Sequence, residues 1–412
     1  MLAGVASIKA QQTRMNVIGD NLANVNTTAF KGSRVTFQEM MAQTMQGATA
    51  PTSTAGGQNA KQVGLGVMIA GTDTNHEQGS LNATNRPTDL AIQGNGFFMV
   101  GSGTNVSYTR DGGFDLDASG NLVHRASGQN LIGWRADALG KVDTSVTPMS
   151  GLNIPIGSMT AVQGTTRVTM TGNLTGAAST ADSWTTQVRV YDAQGGSHDL
   201  TVKFTNRTSP ATGGPTGADS AWDWEVFEGT TSLGSSAGAG NSKLFFDANG
   251  KGLAPTELSK ITLGGSPVEL DFGTVSSLKA ESGVTLRDQN GFPPGSLQAF
   301  SIGGDGTITG LFTNGMTRTL GQVATANFTN PGGLERVGGN LFRDTANSGV
   351  ANVGTPKNDG RGSLASGYLE QSNVDIGQEF TDLIVTQRGF QANTKIVTTV
   401  DEMLQELLSM KR

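Results

Sequence analysis

Ile376-Gly-Gln-Glu-Phe-Thr-Asp-Leu-Ile-Val-Thr-Gln-Arg-Gly-Phe390 opens an apolar stripe that runs through Ile376, Phe380, Leu383, Phe390, Val397, Leu404 and Leu408. Its steps are three, four or seven, with Gln387, Thr394 and Asp401 filling the gaps. The other end of the chain repeats the pattern at Met1, Val5, Ile8, Met15 and Leu22, with Gln12 and Gly19 in the gaps. Steps of three and four keep one face of an α-helix on a partner, as in the seam of a coiled coil. A helix over 376–408 is about 50 Å long at ~1.5 Å per residue. Periodicity alone leaves two readings open. The stripes close on each other as a helical hairpin within one chain, or they join copies of the chain.

The whole chain of 412 residues holds 59 Gly, 12 Pro and no Cys, with 15% charged residues and a net charge of −6. Such a length accommodates two to four domains, and the abundant glycine predicts many turns and short strands. Without a Lys/Arg cluster there is no electrostatic reason to expect nucleic acid or an anionic membrane surface. The missing cysteine excludes disulfides, thiolate metal sites and a cysteine nucleophile. Lys9, Gln11, Gln12 and Arg14 interrupt what a cleavable signal would need, and no run approaches the ~20 apolar residues of a membrane span. Export therefore requires a route without a cleaved signal.

In chain order, the first helix is expected to end near Asn24 to Asn26, where turn formers and β-branched residues gather. Residues 29–41 read as a strand leading into a short helical piece, and 44–62 as a loop, or a segment ordered only by partners. Asp89 to Val100 reads as strand, Gly-Asn-Gly turn, strand, and Phe114 to Val123 as another hairpin, turning at Asp117 to Asn121. Leu131–Trp134 is a further strand. Arg167–Thr171, Thr185–Tyr191 and His198–Thr205 alternate at period two, with a turn at 192–196. Trp222–Phe227 and Lys243–Phe246 follow, and 206–220 and 229–242 read as surface loops. Later, Asp305-Gly306 is a turn and Val323–Phe328 a strand. Ser372-Asn-Val-Asp375 fits a capping box for the last helix, and Lys411-Arg412 suit its C-terminal dipole.

The expected fold is thus multidomain: a terminal α-helical coiled-coil domain (1–28 and 372–412) and two mainly-β domains nested in the chain. A connecting segment, 29–70, is partly extended. One β domain is discontinuous, 71–145 with 285–371, and the other, 146–284, is inserted into it.

The letters that suggest chemistry have plainer readings. Gly94-Asn-Gly96 and Gly64-Leu-Gly66 lack the third glycine of a dinucleotide fingerprint. Asp115-Leu-Asp-Ala-Ser-Gly120 begins like a calcium loop, but position twelve is Ala126 and not Glu. Gly234-Ser-Ser-Ala-Gly238 matches a nucleophile elbow by letter only, in a low-complexity stretch, with His76, His124 and His198 all preceding Ser236. No catalytic, cofactor or metal residue is expected, and the chain reads as no enzyme.

Asn16-Val-Ile-Gly-Asp-Asn-Leu-Ala-Asn-Val-Asn-Thr-Thr-Ala-Phe-Lys31 resembles the N-terminal signature of bacterial flagellar rod and hook proteins. Ser372-Asn-Val-Asp375, Gln387-Arg-Gly-Phe-Gln-Ala-Asn393 and Asp401-Glu-Met-Leu404 resemble the matching C-terminal signature. The family's β domain is resembled by Asp89-Leu-Ala-Ile-Gln-Gly-Asn-Gly-Phe-Phe98, Gly321-Gln-Val-Ala324, Asn330-Pro-Gly-Gly-Leu334 and Val337-Gly-Gly-Asn340. The length, and an insert containing Val190-Tyr-Asp-Ala-Gln-Gly-Gly-Ser-His198, resemble the hook branch of the family; the alternative is a distal rod-type axial protein. The family's usual Ser-Gly-Leu reads Ala6-Ser7-Ile8 here.

The resemblance implies a structural subunit that polymerises helically into a curved, flexible tube. This universal joint passes torque to the filament and lets exported subunits through its channel. It implies export through the flagellar type III apparatus to the cell exterior, and contact with rod, hook-cap and hook–filament junction proteins. No nucleic acid, membrane insertion or cofactor is implied. The residues expected to carry assembly are Val5, Ile8, Met15, Leu22, Phe380, Leu383, Phe390, Val397, Leu404 and Leu408.

Overall fold

The computed structural model describes residues 2–48, 50–51, 56–103, 105–137, 140–148, 150–157, 160–211, 214–237, 242–253 and 259–410. Met1 of the N-terminal stripe, Gly238 of the Gly234–Gly238 motif and the Lys411-Arg412 end lie outside the described residues. Two compact units emerge. The first holds residues up to Ile154, Phe300–Thr309 and everything from Thr319 on; the second holds Pro155–Ala299 and Gly310–Arg318.

The first unit begins with helix α1 (Leu2–Ala23) and ends with helix α2 (Ile376–Met410). α1 stops where expected, its last turn closed by Asn24 N–H donating to Asp20 and Asn21 carbonyls. α2 is capped by Asp375, whose Oδ1 accepts the Gly377 and Gln378 N–H groups at 2.8 and 3.2 Å. Ser372 sits too early to cap the helix. Its hydroxyl instead accepts the Val374 N–H, so the expected capping box is replaced by a single aspartate cap.

After α1 comes a long antiparallel ribbon: β1 (Ser33–Glu39), β2 (Ala42–Gln46), β3 (Lys61–Gly64) and β4 (Val67–Thr74). β1 pairs with β4 and β2 with β3, and Met40 N–H to Gly66 and Leu65 N–H to Met41 bridge the two halves. The helical piece before residue 41 is not formed in the described residues, and the loop expected over 44–62 is shorter, since 44–46 and 61–62 belong to strands. Gln43, Thr44, Gln46 and Gln62 read as loop by polarity, yet polar side chains pair across strands, as Gln62 Nε2 to Thr44 Oγ1 does at 3.2 Å.

The main sheet of this unit runs Glu335–Gly338, Leu341–Arg343, Asn105–Thr109, Phe97–Ser102, Thr325–Asn327, Asn352–Gly354. Its core gathers Phe97, Met99, Tyr108, Ile132, Trp134, Ala326, Phe328 and Phe342. The strands flanking Gly94-Asn-Gly96 do not form a hairpin with each other. Leu90–Gln93 pairs with Ser363–Ser366, while Phe97–Ser102 joins the main sheet. Gly94 and Gly96 have φ of +105° and +129°, a region open to glycine, and there they redirect the chain from one sheet to the next. The Phe114–Leu116 and Leu122–His124 hairpin forms as read, with Asp117 Oδ1 accepting Ser119 and Asn121 N–H groups.

The second unit is built on two sheets around one core. One sheet is ordered Ser259–Leu263, Ser266–Ser276, Arg167–Asn173, Thr285–Gln289, with the middle pair parallel. The other holds Trp184–Tyr191, Ser197–Thr208, Ser220–Glu228, Leu244–Phe246 and Gly252–Leu253. Inward residues alternate along each strand, as in Leu200, Val202 and Phe204 or Trp222, Trp224 and Val226, all buried with Val168, Met170 and Leu270. Thr231–Ser235, read as loop because of its Ser and Gly, is a strand against Ser220–Glu228.

Candidate assembly surface on the terminal helices

α1 and α2 lie antiparallel, and the residues that join them are small or polar. Asn393 Nδ2 donates to Ser7 Oγ at 2.7 Å, Arg14 Nη2 to Asp382 Oδ1 at 3.1 Å, and Asn21 Nδ2 to Glu379 Oε1 at 2.9 Å. A Cβ built on Gly4 would lie 3.5 Å from Val397 Cγ2, and one on Gly389 3.3 Å from Gln11 Nε2. The contact line therefore runs Gly4, Ser7, Gln11, Arg14, Asn21 against Val397, Asn393, Gly389, Asp382, Glu379, with Ile18 and Thr386 at the helical positions between. On both helices it steps by three and four.

It is not the apolar stripe. Every stripe position of α1 lies one residue beyond the contact line, which on a helix is a rotation of about 100°. On α2, Phe380, Leu383 and Phe390 are displaced in the same way, and only Val397 belongs to both. The helices bury Ala10, Ile18, Asn21 and Thr386. Of the ten expected assembly residues none is buried: Val5, Phe380, Leu404 and Leu408 are exposed, and Ile8, Met15, Leu22, Leu383, Phe390 and Val397 are half-buried. From Asp401 onward every described residue of α2 is exposed, including Leu408 at 70%. That segment overhangs α1, because Gly4 already stands opposite Val397.

A second feature ties the helices to the β structure. The Lys31 ammonium donates to Glu370 Oε1 and to the Glu77 carbonyl, each at 2.6 Å, and both charged side chains are fully buried. Glu370 also accepts the Gly79 N–H at 2.9 Å and faces Arg110 at 3.5 Å. Burial pulls the Lys31 pKa below the usual lysine value, against the opposing pull of Glu370. Asn21 clasps Ser33 through both its N–H and its carbonyl, and Asn373 accepts from Gly32 while donating to the Asn75 and Glu77 carbonyls. Arg336 donates to the Lys31 carbonyl and stacks over Phe30. His76, packed on Phe97 and Phe342, is pushed down to about 4 by burial and then by Lys31, Arg110 and Arg336. Glu379, at the helix contact, is pushed up by burial, opposed by its bond from Asn21. Sequence reading missed this junction; its one signal was the clustering of Lys31 and Asn373 within the quoted signatures.

The chemistry-like motifs resolve into structure. Ser236 donates to Asp223 Oδ1, and Asp115 pairs with Arg86 and Arg125. Among the described residues no group of three or more His, Asp or Glu side chains fits a metal ion, and no helix is long and apolar enough to cross a membrane.

Along its whole length the chain is 38% identical to the flagellar hook protein of Treponema pallidum, covering 100% of this chain and 99% of that one. The chain belongs to the flagellar hook protein family. The hook protein of Escherichia coli is 32% identical, over 99% of this chain and 98% of its own. A flagellar basal-body rod protein of Bacillus subtilis is 30% identical, over 100% and 98%. Four family models match in order: flagella basal body rod protein at residues 1–31, the hook protein D1 domain at 91–175, the basal body protein D2 domain at 161–292, and the rod C-terminal region at 365–410. The crystal structure of a Helicobacter pylori flagellar hook protein shares the fold, with a TM-score of 0.53, 15% identity, and 70% of this chain covering 100% of that one. The hook assignment makes the chain a structural subunit of the bacterial flagellum.

Proposed function

We propose that the apolar stripes of α1 and α2 are the surfaces through which copies of this hook protein polymerise. The observation that carries this reading is that pairing of the two helices buries none of the ten stripe residues and leaves Val5, Phe380, Leu404 and Leu408 exposed. Burying a half-exposed Leu or Phe contributes about 1 kcal/mol, so a handful of such residues per copy suffices for association once neighbours align. The overhanging Leu404, Leu407 and Leu408 extend the same face. Contacts of this kind do not close on themselves and so generate a tube.

In this reading the helices form a coiled-coil domain (1–28 and 372–412), joined through 29–70 to a discontinuous β domain (71–145 and 285–371). The remaining stretch, 146–284, is the inserted outer domain. The polymer is a curved tube outside the cell that meets rod, cap and junction proteins. Its subunits leave through the type III apparatus without a cleaved signal, and the chain performs no catalysis. Leu383→Asp with Phe390→Asp tests the surface: tubes are expected to vanish while the β structure persists, and normal hooks from the double variant would sink the proposal. Electron microscopy of basal bodies from cells lacking the gene separates the hook from the rod. A complete rod without a curved hook is expected, whereas a truncated rod would place the protein inward.

A further inference from the structure

We infer that the polar pairs between α1 and α2 act as a register lock: they hold the helices in the one rotational setting that leaves the apolar stripe free for neighbouring copies. The inference rests on the stripe being the assembly surface, as proposed above.

Each helix carries two faces that satisfy the same three-four spacing. One is the line Ser7, Gln11, Arg14, Asn21 with Asn393, Gly389, Asp382, Glu379; the other is the stripe Val5, Ile8, Met15, Leu22 with Phe380, Leu383, Phe390. By burial of apolar area alone the second face is the better partner within the chain. Closing on it would consume the surface that assembly needs. What favours the first face is specific: Ser7 with Asn393 at 2.7 Å, Arg14 with Asp382 at 3.1 Å, and Asn21 with Glu379 at 2.9 Å. These three bonds form only in this alignment. A one-position rotation of α1 would break the Asn21 bond to Glu379 together with its two bonds to Ser33, at a side chain that is 2% exposed here. Gly4 and Gly389 add close approach on the same line, where the opposite side chains come within 3.5 and 3.3 Å of a built Cβ. Polar residues at seam positions set register and partner choice at a cost in stability. The weak intrachain seam is, on this view, selected for where it leaves the strong face.

The charge pair gives the sharpest test. Arg14→Asp places a third carboxylate beside Asp382 and Glu379, and Asp382→Arg restores opposite signs with the order reversed. Because the chain lacks cysteine, Ser7→Cys with Asn393→Cys reports the alignment through intrachain crosslinking by a short bismaleimide. In otherwise wild-type hooks that pair is expected to crosslink within single chains. Arg14→Asp is expected to cut both crosslinking and tube yield at least tenfold, and Arg14→Asp with Asp382→Arg to restore both to within threefold. With Arg14→Leu and Asp382→Leu together, crosslinking is expected to move to an Ile8→Cys, Thr394→Cys pair while tube yield falls. Unchanged crosslinking and tubes in Arg14→Asp, or no recovery in the swap, would overturn the register lock. Failure of the stripe reading looks different: Leu383→Asp with Phe390→Asp would then keep its tubes, whatever the crosslink does.

Discussion

Lys31 and Glu370 stand 339 positions apart in the chain, yet their side chains meet at 2.6 Å with no solvent exposure on either. A buried pair of this kind is costly to break from one side, because the surviving charge stays in a medium that cannot solvate it. Lys31→Met leaves Glu370 with the Gly79 N–H and the more distant Arg110 as partners, and is expected to cost roughly 3 kcal/mol. Denaturant unfolding of the full chain measures it; an unchanged midpoint would mean the junction is held by its amide bonds alone.

Two histidines are expected to respond to acid in opposite directions. His76 has its pKa lowered to about 4, chiefly by burial and then by Lys31, Arg110 and Arg336. The folded state then binds fewer protons than the unfolded one between that value and about 6.5, so stability falls as pH drops through this window, by at most roughly 3 kcal/mol. His198 is held above its usual value by hydrogen bonds to Glu228 and then Asp192. Its contribution is present below about 6.5 and is lost as pH rises through the folded value. Hydrogen exchange on Phe97–Ser102 and Ser220–Glu228, compared between wild type, His76→Phe and His198→Asn, should show the two slopes separately. Parallel slopes in the two variants would contradict the assignment.

Asp375→Ala removes the side chain that accepts the first N–H groups of α2, at Gly377 and Gln378. The expected loss is about 1 kcal/mol, confined to the start of the helix. Faster amide exchange at residues 377 to 380, with the main sheet unaffected, is the outcome to look for.

Gly112 has no room for a side chain, since a built Cβ would fall 1.5 Å from the Leu90 carbonyl oxygen. Gly112→Ala must therefore push the Leu90–Gln93 strand away, and a loss of at least roughly 1–3 kcal/mol is expected in thermal unfolding.

Much of this was open to reading from the residues. The end of the first helix follows from Asn24, and the Asp117 and Asp192 turns from side chains that accept the N–H of Asn121 and of Gly196 four residues on. The inward alternation of Trp222, Trp224 and Val226 marks its strand without help. What stayed hidden has physical causes. Apolar periodicity finds the stripe but cannot see a contact line made mostly of small and polar residues, because these carry little hydrophobic signal. The β2–β3 pair is short and rich in Gln and Thr, and so resembles loop. At Gly94 and Gly96 a turn was legible but its direction was not, since glycine at positive φ serves equally to fold a strand back or to send it onward. The Lys31 to Glu370 pair depends on two residues brought together only by the finished fold.

That pair also decides how the molecule bears a load. α1 enters the β structure at Lys31 and α2 leaves it after Glu370, and at the same spot Asn21 holds Ser33 while Asn373 holds Gly32. Tension applied to either helix is thus handed across to the other within a few side chains, like a rope spliced back on itself. A pull on one helix root therefore has a route to the other through these bonds that does not run along the strands between residues 33 and 370.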